Sequence, residues 1–289
     1  MPRIVPFLAL GGALLSAGAT IFIRQGLRGS DPYTGFWINV AVGTAGLWVA
    51  VLLTGGIGKV TAAGIAFFVL AGLIGTVAGR LLRFVSIEKV GASISAALIN
   101  LHPLFSTLLA ILVLGERVTM PILAGTTVIV LGTILLSGGG RRIGFRPWQL
   151  ALPILSAMCF GIVAVLRKLG LGEMGAVTGS AVNVTTALVA FTAMLLASGH
   201  RGRLGCRGVS LACFVAAGIT ENAAVFLNVV ALGMGTVSVV SPLYGTAPIF
   251  VLFLSFVFLR GLEALTGRII AGTLLIVAGV CLITALSGR

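Results

Sequence analysis

Of the six acidic residues in this chain, only Glu221 lies deep inside an apolar run; Asp31, Glu88, Glu116, Glu173 and Glu263 fall in short polar stretches or near run ends. An ionised carboxylate in a low-dielectric setting is costly, so Glu221 must face a cavity or a partner. Three chemistries suit it: reversible proton binding, anchoring an amino group of a ligand, or tying helices together through a hydrogen-bonded carboxyl group. Arg80 can attract an anionic group or snorkel to lipid head groups. Arg83, one turn further out, reads as a snorkelling side chain. His102 and Asn100 fall at the centre of another apolar run, and Tyr244 reaches a comparable depth in a later one. A histidine titrates near neutrality, so His102 can share proton coupling with Glu221, or act as an interhelical hydrogen-bond donor. Asn39 and Asn183 are polar glue or pathway lining. Asn222 and Asn228 are weaker candidates beside Glu221.

The elements that hold these groups are apolar almost throughout. Hydrophobic residues make up 58% of the 289 and charged ones 9%, and the mean hydropathy is +1.20. That leaves too little polar surface to coat a soluble globule, which points to lipid. The net charge of +13 sits in short basic clusters between apolar runs. Anionic head groups are their partners in this pattern, and nucleic acid is excluded. The cysteines (Cys159, Cys206, Cys213 and Cys281) have no metal-binding spacing and read as small apolar residues.

Runs long enough to cross about 30 Å of hydrocarbon at about 1.5 Å per residue lie near 4–24, 33–54, 62–85, 90–114, 118–137, 148–169, 175–198, 208–231, 235–259 and 265–286. The first also has features of a signal peptide, but removing it would unpair the two halves of the chain, so it is read as a span. Lipid offers the backbone no hydrogen-bond partners, so every run is expected to be a helix and the fold an all-α integral membrane bundle. Turn chemistry marks the connections, at Gly29 to Pro32, Thr54 to Gly56, Ser137 to Gly140 and Ser198 to Gly202.

The second half repeats the first. Gly125, Gly132 and Glu116 recur as Gly272, Gly279 and Glu263 at an offset of 147, Pro103 and Phe105 recur as Pro248 and Phe250 at 145, and Thr34, Gly35 and Asn39 recur as Thr178, Gly179 and Asn183 at 144. A duplicated unit with an odd number of spans must enter the bilayer from opposite sides, which predicts ten transmembrane helices as two inverted five-helix repeats, 1–140 and 141–289. The boundary between them is placed within Gly138 to Arg146. The glycine pairs are two helical turns apart, so each lies on one face and admits a close neighbour. Pro103, Pro242 and Pro248 predict kinks, static or hinged. Glu116 and Glu263 precede helix starts, where a carboxylate complements the helix dipole.

If 62–85 and 207–230 are paired and inverted, Glu221 lies roughly 4 Å from the midplane and Arg80 roughly 10 Å on the other side. The depth between their backbones is then about 14 Å, so a direct pair needs both side chains extended. A water-filled pathway lined by both is the simpler expectation.

The combination of Pro103 to Phe105, Leu114 to Thr119, Gly125 and Gly132 resembles the EamA-type branch of the drug/metabolite transporter superfamily. It recurs as Ser241, Pro242, Pro248 to Phe250, Phe258 to Glu263, Gly272 and Gly279. The resemblance implies ten helices in two inverted repeats, a central cavity flanked by the third, fourth, eighth and ninth helices, and export or exchange of small metabolites. A tryptophan often seen in the first helix of relatives is missing here. Lys and Arg number six on the face carrying both termini and thirteen on the other, which places the termini outside. The resemblance implies the cytoplasm instead.

The expected function is secondary active export or exchange, by alternating access, of a small polar or amphiphilic metabolite such as an amino-acid-like compound, in the cell membrane, with lipids and the metabolite as partners and with a proton gradient or exchange as the energy source. No cofactor, metal site or enzymatic motif is expected. The alternatives are a gated pore and an intramembrane enzyme on a lipid-linked substrate.

Overall fold

A computed structural model describes residues 4–114, 120–137, 146–198, 205–259 and 266–287. Glu116, Glu263, the interior of the boundary between halves and most of the turn from Ser198 to Gly202 lie outside the described residues. Within them every regular element is helical. The first half holds α1 (Ile4–Gly26), α2 (Pro32–Leu53), α3 (Ala62–Val90), α4 (Ala92–Ile99), α5 (His102–Leu114) and α6 (Met120–Ser137). The second holds α7 (Ala151–Leu171), α8 (Ala176–Ala197), α9 (Gly208–Met234), α10 (Val237–Tyr244), α11 (Ala247–Phe258) and α12 (Gly267–Ser287). Among the described residues six helices, α1, α2, α3, α7 with its preceding turn, α8 and α9, are individually long and apolar enough to cross a membrane.

Two expected spans are broken rather than kinked. The run 90–114 divides into α4 and α5 at Asn100 and Leu101, and 235–259 divides into α10 and α11 at Gly245 and Thr246. Pro103 and Pro248 lie at the starts of the second pieces, where a missing N–H costs nothing. The backbone restarts there with short-range bonds, Leu104 N–H to the Leu101 carbonyl at 3.0 Å and Ile249 N–H to the Thr246 carbonyl at 3.0 Å. Such breaks leave backbone polar groups that need protein or water, so they belong beside a cavity.

Packing respects the duplication. α1 lies along α9 as α7 lies along α3; α2 meets α9 as α8 meets α3; α11 meets α1 as α5 meets α7. α2 pairs with α8, and α6 with α12. Side chains repeat the relation: a Cβ on Gly26 or Gly35 would strike the Phe214 ring, and one on Gly170 or Gly179 would strike the Phe68 ring. Each phenyl ring fills a socket made by two glycines of the other half's first two helices. Across α2 and α8, the indole N–H groups of Trp37 and Trp48 donate to Thr192 Oγ1 and Thr185 Oγ1, both at 2.9 Å.

Asp31 caps α2, accepting from Tyr33 N at 2.9 Å, Thr34 N at 3.2 Å and Thr34 Oγ1 at 2.7 Å. Asp31→Ala should therefore lose about 1 kcal/mol of stability. Thermal unfolding of detergent-purified protein checks this, and Asp31→Asn, which keeps a capping oxygen, should retain most of the stability.

Candidate functional site

α3 departs from α geometry just where the polar residues gather: Gly72–Arg80 is π-helical. A π turn places more residues in each turn, and such turns recur at functional sites. Three glycines in it allow close approach. A Cβ on Gly72 would lie 2.6 Å from the Asn183 carbonyl oxygen, and one on Gly75 the same distance from Val163 Cγ2. One on Gly79 would crowd Cys159 and Phe160. Ser156 Oγ donates to the Gly79 carbonyl at 2.7 Å, fastening α7 to α3.

Arg83 Nη1 donates to Glu221 Oε2 at 2.6 Å, forming a buried ion pair between α3 and α9. Its Nη2 donates to the Ser16 carbonyl at 3.1 Å and to Thr20 Oγ1 at 2.5 Å, so one guanidinium ties α1, α3 and α9 together. Arg83 is 6% exposed and Glu221 3%. The expectation that Arg83 snorkels is therefore wrong. The depth argument assumed a straight α-helix, and it counted backbone position while the long arginine side chain reaches inward to a carboxylate that would otherwise be unpaired.

Arg80 is 2% exposed and does not reach the head groups. Its Nη1 donates to Asn39 Oδ1 at 2.9 Å and Asn222 Oδ1 at 3.1 Å. Asn222 Nδ2 in turn donates to the Gly218 carbonyl at 2.7 Å and the Asn39 carbonyl at 3.1 Å. Asn39 and Asn222 thus form a neutral cradle for a buried cation. In the other half Asn183 Oδ1 accepts from Thr76 Oγ1 at 2.7 Å.

These groups border a cavity of about 100 Å³ between the two halves. Ser16 and Thr20 of α1, Thr76, Arg80 and Arg83 of α3, and Glu221 and Asn228 of α9 line one side. Asn100, His102, Tyr244 and Pro248 border it at the two helix breaks, and Arg167 enters from α7. The His102 and Tyr244 rings sit 6.3 Å apart between centroids, tilted by 56°. Of the sequence candidates, Glu221, His102, Arg80, Asn100, Tyr244 and Asn228 line the cavity, while Asn39 and Asn222 stand behind Arg80 and Asn183 behind Thr76. Sequence reasoning missed Ser16, Thr20, Thr76 and Arg167. Hydroxyl residues in apolar helices carry little signal, and Arg167 near a run end looks like any basic flank. The cavity also reaches the first helix of each half, α1 and α7, beyond the four helices the resemblance implied.

Three guanidinium groups and one carboxylate border this chamber, which gives it charged groups able to hold a polar solute. Small-molecule pockets usually measure about 300–1,000 Å³, so a solute of that size requires the halves to part.

A family model described as the EamA-like transporter family matches the chain twice, over residues 3–138 and 147–285. No curated protein matches it. Among solved structures 29 chains match. One protein crystal structure is similar over 100% of this chain and 99% of its own, with a TM-score of 0.73 and 19% identity, a likeness that shows the fold alone. Two family matches over nearly all of an apolar, helical chain identify a multi-pass membrane transporter of small solutes: the chain belongs to the EamA-like transporter family.

Proposed function

We propose that the protein is a secondary active transporter that exports or exchanges a small polar or amphiphilic metabolite across the plasma or inner membrane by alternating access. Its ten spans form two oppositely oriented halves, 1–140 and 141–289. The observation that carries the reading is the cavity between helices of both halves, lined by three arginines and Glu221, with a buried ion pair in its wall. The exchange-related helix pairings support a twofold relation between halves, and an odd number of spans per half supports their inversion. Broken helices at the cavity supply backbone where the halves can rearrange. Reconstituted protein should give saturable counterflow of its solute with no electrical conductance. Unsaturable flux with conductance would replace this reading with a gated pore.

Glu221 is the coupling group in this scheme. When the halves part, its pair with Arg83 opens and the carboxylate takes a proton from one side; reclosure returns the proton on the other. His102, facing Tyr244, is the second group that can relay it. Glu221→Gln keeps an oxygen acceptor for Arg83 but removes the titrating site. The expected result is retained solute binding with loss of pH-gradient-driven uptake in proteoliposomes. Uptake still driven by a pH gradient in this variant would remove Glu221 from coupling.

A further inference from the structure

The cavity's charges do not balance. Arg80, Arg83 and Arg167 border it, and among the described residues Glu221 is its one carboxylate. Glu221 is committed to Arg83 at 2.6 Å. Arg80 rests on two neutral amide oxygens. Arg167 makes no hydrogen bond or ion pair with any described residue. Two positive charges therefore face a chamber set among apolar helices, where an uncompensated cation is expensive. Something negative must complete it whenever it is closed around a solute.

A second observation independently marks where that group sits. Asn100 is 3% exposed, and its Nδ2 has no hydrogen-bond partner. Buried amide donors are nearly always satisfied, so an orphan at a cavity wall calls for an acceptor from outside the chain. Asn100 lies at the break between α4 and α5, so its position depends on the same turn that opens the helix. The donors left over around the chamber thus include a guanidinium and a carboxamide, and the acidic acceptor is already paired. An ammonium group would meet the cations with no anion available to it.

We propose that the substrate is a small organic anion whose carboxylate is held by Arg167 and Asn100, with Arg80 supplying the second positive charge for a dicarboxylate. This deepens the transporter reading and rests on it only for the fate of the bound solute. Arg167 is the specificity residue, because its planar donor fork matches a carboxylate in a way that a lysine does not. The Arg83–Glu221 pair re-forms once the halves close around the solute and acts as wall rather than ligand.

The test uses the full chain, purified in detergent and reconstituted in vesicles, with succinate, acetate, succinamide and 1,4-diaminobutane as probes. Binding read by thermal shift and calorimetry should be tightest for succinate, weaker for acetate, and absent for the neutral diamide and the diamine. Arg167→Gln should weaken succinate at least about tenfold, the loss of one charge-assisted contact, and Arg167→Lys should recover only part of it. Should Arg167→Gln misfold, Asn100→Asp provides the second arm: an added negative charge at that wall should abolish succinate binding while the thermal midpoint without ligand survives. Preference for the diamine or diamide, or succinate affinity unchanged in either variant, overturns the proposal. Counterflow separates the two readings. Saturable transport confined to cationic or neutral solutes defeats the anion inference and leaves transport standing; succinate bound but never moved defeats transport and leaves the anion site standing.

Discussion

Glu221→Ala is expected to destabilise the protein by about 3–5 kcal/mol, because it strands the Arg83 guanidinium in a buried position without its counter-charge. Arg83→Ala should cost a comparable amount, since it strands the carboxylate and also releases the Ser16 carbonyl and Thr20 Oγ1 that Arg83 ties to α3. The paired replacement Arg83→Met with Glu221→Leu should recover most of the loss. Apolar residues of similar volume satisfy the site without desolvating charges, and such swaps are often neutral or better. Unfolding of the single and double variants in one detergent gives the coupling directly. Additive losses would mean that water, not the partner, satisfies each charge, and the pair could not then be a closed latch across α1, α3 and α9. The double variant should be stable yet inactive in uptake driven by a pH gradient, which separates the fold role of the pair from its coupling role.

Gly279→Leu should be the most damaging single change outside the cavity. α6 and α12 pack through their glycines: a Cβ on Gly279 would lie 2.5 Å from the Gly125 carbonyl oxygen, and one on Gly132 would lie 2.7 Å from the Gly272 carbonyl oxygen. These are backbone atoms, so no rotamer change relieves the clash and the two helices must separate. Overpacking typically costs about 1–3 kcal/mol, and here a whole helix pair loses contact, so the upper end of that range is expected. Gly132→Leu should match it, because the crossing is reciprocal. Thermal unfolding compared with Gly46→Ala is the measurement; a Cβ at Gly46 meets nothing within 4 Å. Equal midpoints for Gly279→Leu and Gly46→Ala would show that this crossing is not close-packed in the membrane.

Most of the helices were legible because lipid enforces one rule along the whole chain: apolar runs of sufficient length must satisfy their own backbones. The expected run 208–231 corresponds to Gly208–Met234, and 175–198 to Ala176–Ala197. The repeat was legible wherever glycine and proline carried it, since those residues mark backbone approach and helix interruption. It was invisible in Phe68 and Phe214, whose correspondence depends on which glycines they touch rather than on a shared motif. Glu221 stood out by contrast with its surroundings, but its partner did not. Arg83, one turn beyond Arg80, reads from its sequence position as a snorkelling side chain, and two features defeat that reading: the π-helical stretch before it and the reach of a five-donor side chain. Asn39 and Asn222 were gathered among the polar candidates, but their place as a cradle for Arg80 required three helices to be placed at once.

The wide turns of Gly72–Arg80 also set the rotational phase of α3. Upstream, Gly72 and Gly75 present bare backbone toward α7 and α8 of the opposite half; downstream, Arg80 and Arg83 aim at α1, α2 and α9. In a regular α-helix each residue advances by about 100°, and a stretch that winds more slowly leaves everything after it turned to a new bearing. One rod can therefore present close-packed bare backbone at one end and a charged hub at the other.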